Sequence, residues 1–252
     1  MDFTDLGLRA ALLRSVRERG HVVPTPVQAR AIPAILSGCD VTQIARAGTG
    51  RTAAYALPLL QRLMGVRTNT TQAVRALVLV ESREIAQSVA GDVRSYGAYL
   101  PLRCSASYGR RDLKPRHPAP QPAVDIVVTT PARILTECRC CQSDLSAIEI
   151  LVMDDADRIL DRHPHQDIRR VFSYLSSRRQ NAVFNASSSD KFELALGWLG
   201  YESGCHFGTR SRAQSRRHQA DLPRRVRAPT GVGRVSDGRP DHATLNGADY
   251  ES

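Results

Sequence analysis

Two stretches of the chain carry residue types that handle phosphate, at spacings that suit it. The first is Ala45-Arg46-Ala47-Gly48-Thr49-Gly50-Arg51-Thr52, between a short β-branched run and an amphipathic stretch. Small residues from Ala47 to Gly50 let backbone N–H groups turn inward onto an anion, and a helix starting behind them adds partial positive charge. Arg51 brings a full charge, and the Thr52 hydroxyl suits a Mg²⁺ ion. By itself the stretch also fits an ordinary glycine-containing βα turn, because the strict phosphate-loop pattern opens on Gly and carries Lys, where this chain has Ala45 and Arg51. The second stretch is Val152-Met153-Asp154-Asp155-Ala156-Asp157. Carboxylates at a strand's carboxyl end hold Mg²⁺ through water and orient an attacking water, and acidic residues also cap helix N-termini.

Such groups need a scaffold that brings strand ends together. The first ~200 residues alternate helical periodicity with short apolar runs, the pattern of a parallel sheet with helices on both faces. Helices are expected over Ala10–Arg19, Pro26–Ser37, Arg51–Leu63 and Glu84–Tyr99. Strands are expected over Val41–Ile44, Ala76–Val80, Asp125–Thr129, Ile148–Met153 and Ala182–Asn185. These runs lack clean alternation, as strands buried on both faces do. Lys114–Pro122 holds four prolines and reads as a loop. The expected division is an α/β domain over 1–199 and a tail over 200–252, rich in Arg, Gly and Pro and too poor in aliphatics to offset its ordering entropy, hence disordered.

Thirty-five Lys and Arg against 25 Asp and Glu give a formal charge of +10, which favours polyanionic partners. Only Lys114 and Lys191 are lysines. No apolar run approaches the ~20 residues of a membrane span, and the start Met-Asp-Phe-Thr-Asp lacks the features of a signal peptide, so a cytoplasmic protein without a membrane partner is expected. Cys138, Cys140 and Cys141 lack a second cysteine pair and read as free thiols. His163 and His165 read as exposed loop histidines, and Trp198 as a core or helix-end anchor.

Further segments fall in a telling order around these two. Gly20-His21-Val22-Val23-Pro24-Thr25-Pro26-Val27-Gln28 resembles the Q motif of DEAD-box RNA helicases, with Phe3 lying 17 residues before Gly20 where that family has an isolated aromatic. The 45–52 stretch resembles motif I, Glu81-Ser82-Arg83-Glu84-Ile85-Ala86 motif Ia, and Tyr108-Gly109-Arg110 the glycine doublet. Thr130-Pro131-Ala132-Arg133 resembles motif Ib, Asp154 to Asp157 motif II, and Asn185-Ala186-Ser187 stands at motif III. The order resembles the first RecA-like P-loop NTPase domain of bacterial-type DEAD-box helicases, over about three quarters of the chain. The resemblance implies ATP and Mg²⁺ as cofactors. Phe3 would stack on adenine and Gln28 pair with its edge. Ala47, Gly48, Thr49, Gly50, Arg51 and Thr52 would hold the phosphates. Thr52 and Asp154 would hold Mg²⁺, with Arg51, Asp154 and Asp155 in catalytic places. Arg83, Gly109, Thr130 and Arg133 would contact an RNA backbone without reading its sequence. Asn185, Ala186 and Ser187 would couple nucleotide state to RNA.

The departures bear on activity. Arg51 stands for Lys, and the swap changes shape and solvation. Asp155 stands for Glu and retracts the carboxylate by roughly 1.3 Å, enough to cost about 10²-fold in a proton-handling step. Asn185-Ala186-Ser187 stands for Ser-Ala-Thr, putting the coupling in doubt. Glu81 stands for Pro, bringing negative charge toward the RNA path, and Arg110 stands for Gly. About 65 residues follow Ser187, too few for a second RecA-like domain. The expected function is a truncated helicase-like protein that binds ATP and RNA without unwinding by itself. The alternatives are a non-catalytic module for RNA or a protein partner, and a degenerate helicase remnant.

Overall fold

The computed structural model describes residues 1–65, 73–106, 124–141, 145–200 and 205–207. The chain divides into one compact unit, Met1–Arg210, and a second, Ser211–Ser252, which lies outside the described residues.

The described unit is built on a seven-stranded sheet. Its strands are β1 (Val41–Ile44), β2 (Ala76–Leu79), β3 (Cys104–Ser105), β4 (Ile126–Thr129), β5 (Ile150–Asp154), β6 (Gln180–Asn185) and β7 (Cys205–Phe207). The order is β3-β4-β2-β5-β6-β1-β7, and every pairing is parallel. Helices α1 (Ala10–Glu18) and α2 (Pro26–Leu36) precede β1; parallel strands need crossovers, and those described are helical: α3 (Arg51–Leu63), α4 (Arg83–Tyr96), α5 (Pro131–Cys141), α6 (Ala156–Arg162), α7 (His165–Tyr174) and α8 (Asp190–Trp198). A 3-10 turn at Phe3–Leu6 opens the chain.

The sequence pattern accounts for the layering. Strands β2, β4 and β5 are buried at every position. Their alternate residues feed two cores: Ala76, Val78, Ile126, Val128, Ile150 and Val152 face one, while Leu77, Leu79, Val127, Leu151 and Met153 face the other. The all-apolar runs are therefore two-sided strands, as expected. Helix α4 ends at Tyr96, three residues short of the expected end, with Gly97 as its C-cap and the Gly97 N–H still donating to the Val93 carbonyl at 2.9 Å.

The last strand departs from the sequence expectation. Cys205–Phe207 pairs in parallel with β1, so the sheet runs past the boundary placed at residue 199. Three residues with no aliphatic neighbours gave no period to read. The expected disorder of the remainder, and the loop at 114–122, lie outside the described residues.

Polar groups tie the amino ends of the strands. Arg75 donates to Glu149 (Nε, 2.6 Å) and to the Leu63 carbonyl (2.7 Å), and Asp40 accepts from the Asn181 N–H at 2.7 Å. The carboxyl ends are left for the site, as open α/β sheets generally leave them.

Candidate nucleotide site and the adjoining basic cleft

β1 leads into the 45–50 loop, and the Ala45 N–H donates to the Asn185 carbonyl at 2.8 Å, fixing the loop's root to β6. Within the loop the Thr49 hydroxyl donates to the Arg46 carbonyl at 2.7 Å. Gly48 and Gly50 have φ of +79° and +84°, a left-handed conformation natural to glycine. At Gly50 there is no space either: a Cβ would lie 2.3 Å from Gln28 Nε2.

Gln28 is where sequence and structure differ. Its Oε1 accepts the Thr25 N–H (3.0 Å) in a capping box that starts α2, and its Nε2 donates to the Gly50 carbonyl (3.2 Å). The Thr25 hydroxyl donates to the Thr49 carbonyl at 2.9 Å. With Gln28 only 2% exposed, its amide is closed onto the loop rather than offered to an adenine edge. Phe3 departs too. It is 3% exposed, its ring 6.4 Å from that of His21, so it presents no open face for stacking. The apolar turn Phe3–Leu6 drives that ring into the core, which spacing by itself did not reveal.

Asp154 ends β5 and Arg51 begins α3, and the fold sets them face to face. Arg51 Nη2 lies 3.1 Å from Asp155 Oδ2 and 3.5 Å from Asp154 Oδ1. The Tyr55 hydroxyl, one helical turn after Arg51, donates to Asp154 Oδ2 at 2.9 Å. Sequence reading missed Tyr55, although a polar oxygen at i+4 from a phosphate-loop cation was the available signal. Its ring packs 5.3 Å from Phe184. Asp155 has φ +67°, the only positive value at a non-glycine among the described residues. That conformation costs on the order of 1–2 kcal/mol and holds the carboxylate at the mouth of the loop.

Charge states follow from burial and partners. Burial raises the Asp154 pKa above its ordinary value, against the pull of Arg51 and Tyr55. Burial opposes the Arg51 charge, but Asp154 and Asp155 outweigh it and hold the guanidinium above its ordinary range. Burial, then the charge of Asp154, push the Tyr55 phenol well up, so it remains a donor.

Asn185 is fully buried and joins three motifs: its Oδ1 accepts the Asp157 N–H (3.1 Å), its Nδ2 donates to the Ser187 carbonyl (2.7 Å), and its own carbonyl holds Ala45. Ser187 Oγ lies 3.5 Å from Asp157 Oδ2, and Ala186 is exposed. The substituted segment thus still links β6 to the loop and to motif II.

Glu81 corrects another expectation. It does not face outward with its charge. It is 8% exposed, with Arg158 Nη1 at 3.1 Å and Arg162 Nε at 3.0 Å, and its carbonyl is 3.0 Å from His163 Nε2. Two guanidinium groups on α6 attract the carboxylate inward. Arg158 Nε also reaches Asp155 Oδ2 at 3.6 Å. His165 stands 5.3 Å from the Trp198 ring, which anchors the end of α8.

Beside Glu81, a cleft of about 460 Å³ is lined by Arg83, Gln87, Ser105, Thr129, Thr130 and Arg133, among others. It brings together three of the four residues expected at RNA; Gly109 lies outside the described residues, as do the side chains of Cys140 and Cys141. A larger depression of about 630 Å³ at the far ends of α2 and α3, near Pro33 and Arg62, holds none of the motif residues.

The donor set suits a polyphosphate: left-handed glycines, the Thr52 hydroxyl, and Arg51 Nη1, which has no hydrogen-bond partner among the described residues. A divalent cation would have to compete in this arrangement with the Arg51 charge, 3.5 Å from Asp154 Oδ1, and with the Tyr55 hydroxyl on Oδ2, although Oδ1 is itself buried without a hydrogen-bond partner among the described residues. Among the described residues no group of three or more His, Cys, Asp or Glu side chains is placed to hold a metal.

A wholly parallel, helix-covered sheet with a glycine loop at β1 and an acid pair at β5 defines a RecA-like P-loop domain. Residues 25–194 match the DEAD/DEAH box helicase family, and the chain belongs to it. It is 34% identical over 192 residues to the human "Probable ATP-dependent RNA helicase DDX27", covering 76% of this chain and 25% of that protein. It is 36% identical over 186 residues to "ATP-dependent RNA helicase DeaD" of Mycobacterium tuberculosis, covering 73% and 32%. A DEAD box protein from Methanococcus jannaschii superposes with a TM-score of 0.71 at 27% identity, covering 82% of this chain and 55% of that one.

Proposed function

We propose that this chain binds ATP at the 45–52 loop and RNA along the Arg83–Thr130–Arg133 cleft, and that the two sites communicate through Glu81 and α6. The observation that carries the reading is the shared frame. Arg51, Asp154 and Asp155 converge at one mouth, and Glu81, one residue from the α4 cap, is ion-paired to the same Arg158 that reaches Asp155. RNA contacts would be to the backbone and so insensitive to sequence.

Hydrolysis by the 252-residue chain is expected to be slow, and strand separation absent. Asp155 would be the water-orienting base, yet its carboxylate is already paired with Arg51. Arginine fingers in phosphoryl transfer are worth roughly 10³–10⁵ in rate, and the RecA-like unit described here is one of the two such enzymes close together. Among the described residues no helix is long and apolar enough to cross a membrane, and a cytoplasmic place fits an RNA-binding role.

The test is a calorimetric titration with ATP, and an anisotropy titration with a fluorescent single-stranded RNA, on the chain and on Thr52→Ala and Arg83→Ala/Arg133→Ala variants. Loss of ATP binding in the first variant and of RNA binding in the second supports the reading. A wild-type chain that binds neither ligand refutes it.

A further inference from the structure

The acid pair that would ordinarily draw a divalent cation is neutralised from within. Arg51 Nη2 hydrogen-bonds Asp155 Oδ2 at 3.1 Å and stands 3.5 Å from Asp154 Oδ1, an ion pair without a hydrogen bond, on a side chain only 11% exposed. Tyr55 occupies the other oxygen of Asp154 at 2.9 Å. Arg158 lies 3.6 Å from Asp155 and 3.1 Å from Glu81, and Arg162 lies 3.0 Å from Glu81. Three carboxylates therefore face three guanidinium groups, and no surplus negative charge remains to attract a doubly charged ion. A guanidinium does not deprotonate in proteins and is less strongly hydrated than an ammonium, so it is suited to stay in such a largely buried place. Its fork has donors to spare: Arg51 Nη1 is buried without a hydrogen-bond partner among the described residues. Such a donor beside a left-handed glycine loop is unsatisfied until an anion accepts from it.

We infer that Arg51 and Tyr55 stand in for the divalent cation on Asp154, so that this chain binds nucleoside triphosphates without requiring Mg²⁺. The inference rests on the nucleotide-binding reading above and specifies how that site is charged. Arg51 Nη2 hydrogen-bonds Asp155 and offsets the charge of Asp154, while Nη1 is left to offer to phosphate oxygens, a forked geometry that Lys lacks. Tyr55 keeps the second Asp154 oxygen from a metal's hydration shell. The site would then respond weakly to divalent cations and strongly to ionic strength, since the remaining attraction is between phosphate and guanidinium.

The experiment is a calorimetric titration of the full 252-residue chain with ATP, once in excess EDTA and once in excess magnesium chloride, at matched ionic strength. The expected result is binding in both buffers with dissociation constants within about threefold of each other. An Arg51→Lys/Tyr55→Phe double variant, which restores a point charge and frees one oxygen of Asp154, should bind at least about tenfold more tightly with magnesium than without. Circular dichroism of the variant establishes that it is folded, and the wild-type pair of titrations decides the matter even if it is not. Wild-type binding that strengthens tenfold or more with magnesium overturns the inference while leaving the nucleotide reading intact. Absence of binding in either buffer overturns both.

Discussion

Tyr55→Phe removes one oxygen from the middle of the molecule and little else. The ring stays against Phe184, so packing is retained. What is lost is a 2.9 Å hydrogen bond to Asp154, an acid 8% exposed. A hydrogen bond to a charged partner contributes about 1.5–3 kcal/mol, and one to a neutral partner about 0.5–1.5 kcal/mol. The size of the loss therefore depends on whether Asp154 is ionised. Burial sets its folded pKa above the ordinary 3.8. Between 3.8 and that raised value the folded state holds more protons than the unfolded one, so the contribution of Asp154 to stability falls as pH rises through the window. The Tyr55 hydroxyl favours the ionised form and offsets part of that fall. Without it the fall deepens.

The expected outcome is a melting temperature lowered by about 3–12 °C at neutral pH, taking about 2–4 °C per kcal/mol for a domain of this size. Below pH 3.8, where Asp154 is mainly protonated in both the folded and the unfolded chain, the same substitution should lower it by only about 1–6 °C. Thermal melts of wild type and variant followed by circular dichroism, at both pH values, give the comparison, and other titrating groups cancel in the difference. An equal drop at the two pH values, or none, would show that Tyr55 is not supporting an ionised Asp154.

Gln28→Ala should weaken ATP and GTP binding by the same factor, roughly 3- to 10-fold, because the amide supports Gly50 rather than reading a base; calorimetric titrations with each nucleotide check it, and a loss confined to ATP would restore the adenine assignment. Glu81→Gln releases the charges of Arg158 and Arg162 beside the cleft. RNA affinity should rise and its salt dependence steepen, by about 0.7 in log–log slope for each phosphate gained on a single strand, as measured by anisotropy across a salt series. Truncation after Arg210 should leave the melting temperature unchanged, whereas truncation after Gly200 removes β7 from the edge of β1 and should lower it by several degrees; equal melts for the two truncated chains would show that β7 adds nothing.

The frame was legible because its signals are local. Apolar runs such as Ala76-Leu77-Val78-Leu79 suit a two-sided strand, being too short for a buried helix, and Thr25 with Pro26 signals a helix start. The order of the phosphate loop and the acid pair then placed both at strand ends. What spacing did not give was the partner of each polar group. Gln28 has one amide and two claimants, an adenine or the loop carbonyl of Gly50, and only the approach of α2 to the loop decides between them. Glu81 reads as an intruding charge until α6 is seen to bring Arg158 and Arg162 against it. β7 is three residues long and has no period to read.

The same reasoning recasts the substitutions that looked like separate losses. Arg51 carries its charge on a longer, forked side chain than Lys, and Asp155 holds its own about 1.3 Å further back than Glu. Each alone would disturb the distance between cation and acid. Together they leave a contact of 3.1 Å, with the left-handed backbone at Asp155 turning the shorter acid toward the loop. Glu81 and Arg158 extend that pair toward α4, and Asn185 ties the loop's root to motif II by two hydrogen bonds, from the Ala45 and Asp157 N–H groups. A site that had merely decayed would leave buried charges without counterparts, at a cost of several kcal/mol each. Here the acids at 81, 154 and 155 each have a guanidinium within ion-pair distance, although Asp154 Oδ1 and Glu81 Oε2 lack a hydrogen bond among the described residues. The residues at 51, 81 and 155 that depart from the family pattern thus form, with Asp154 and Arg158, one mutually dependent set of charges at the carboxyl end of the sheet.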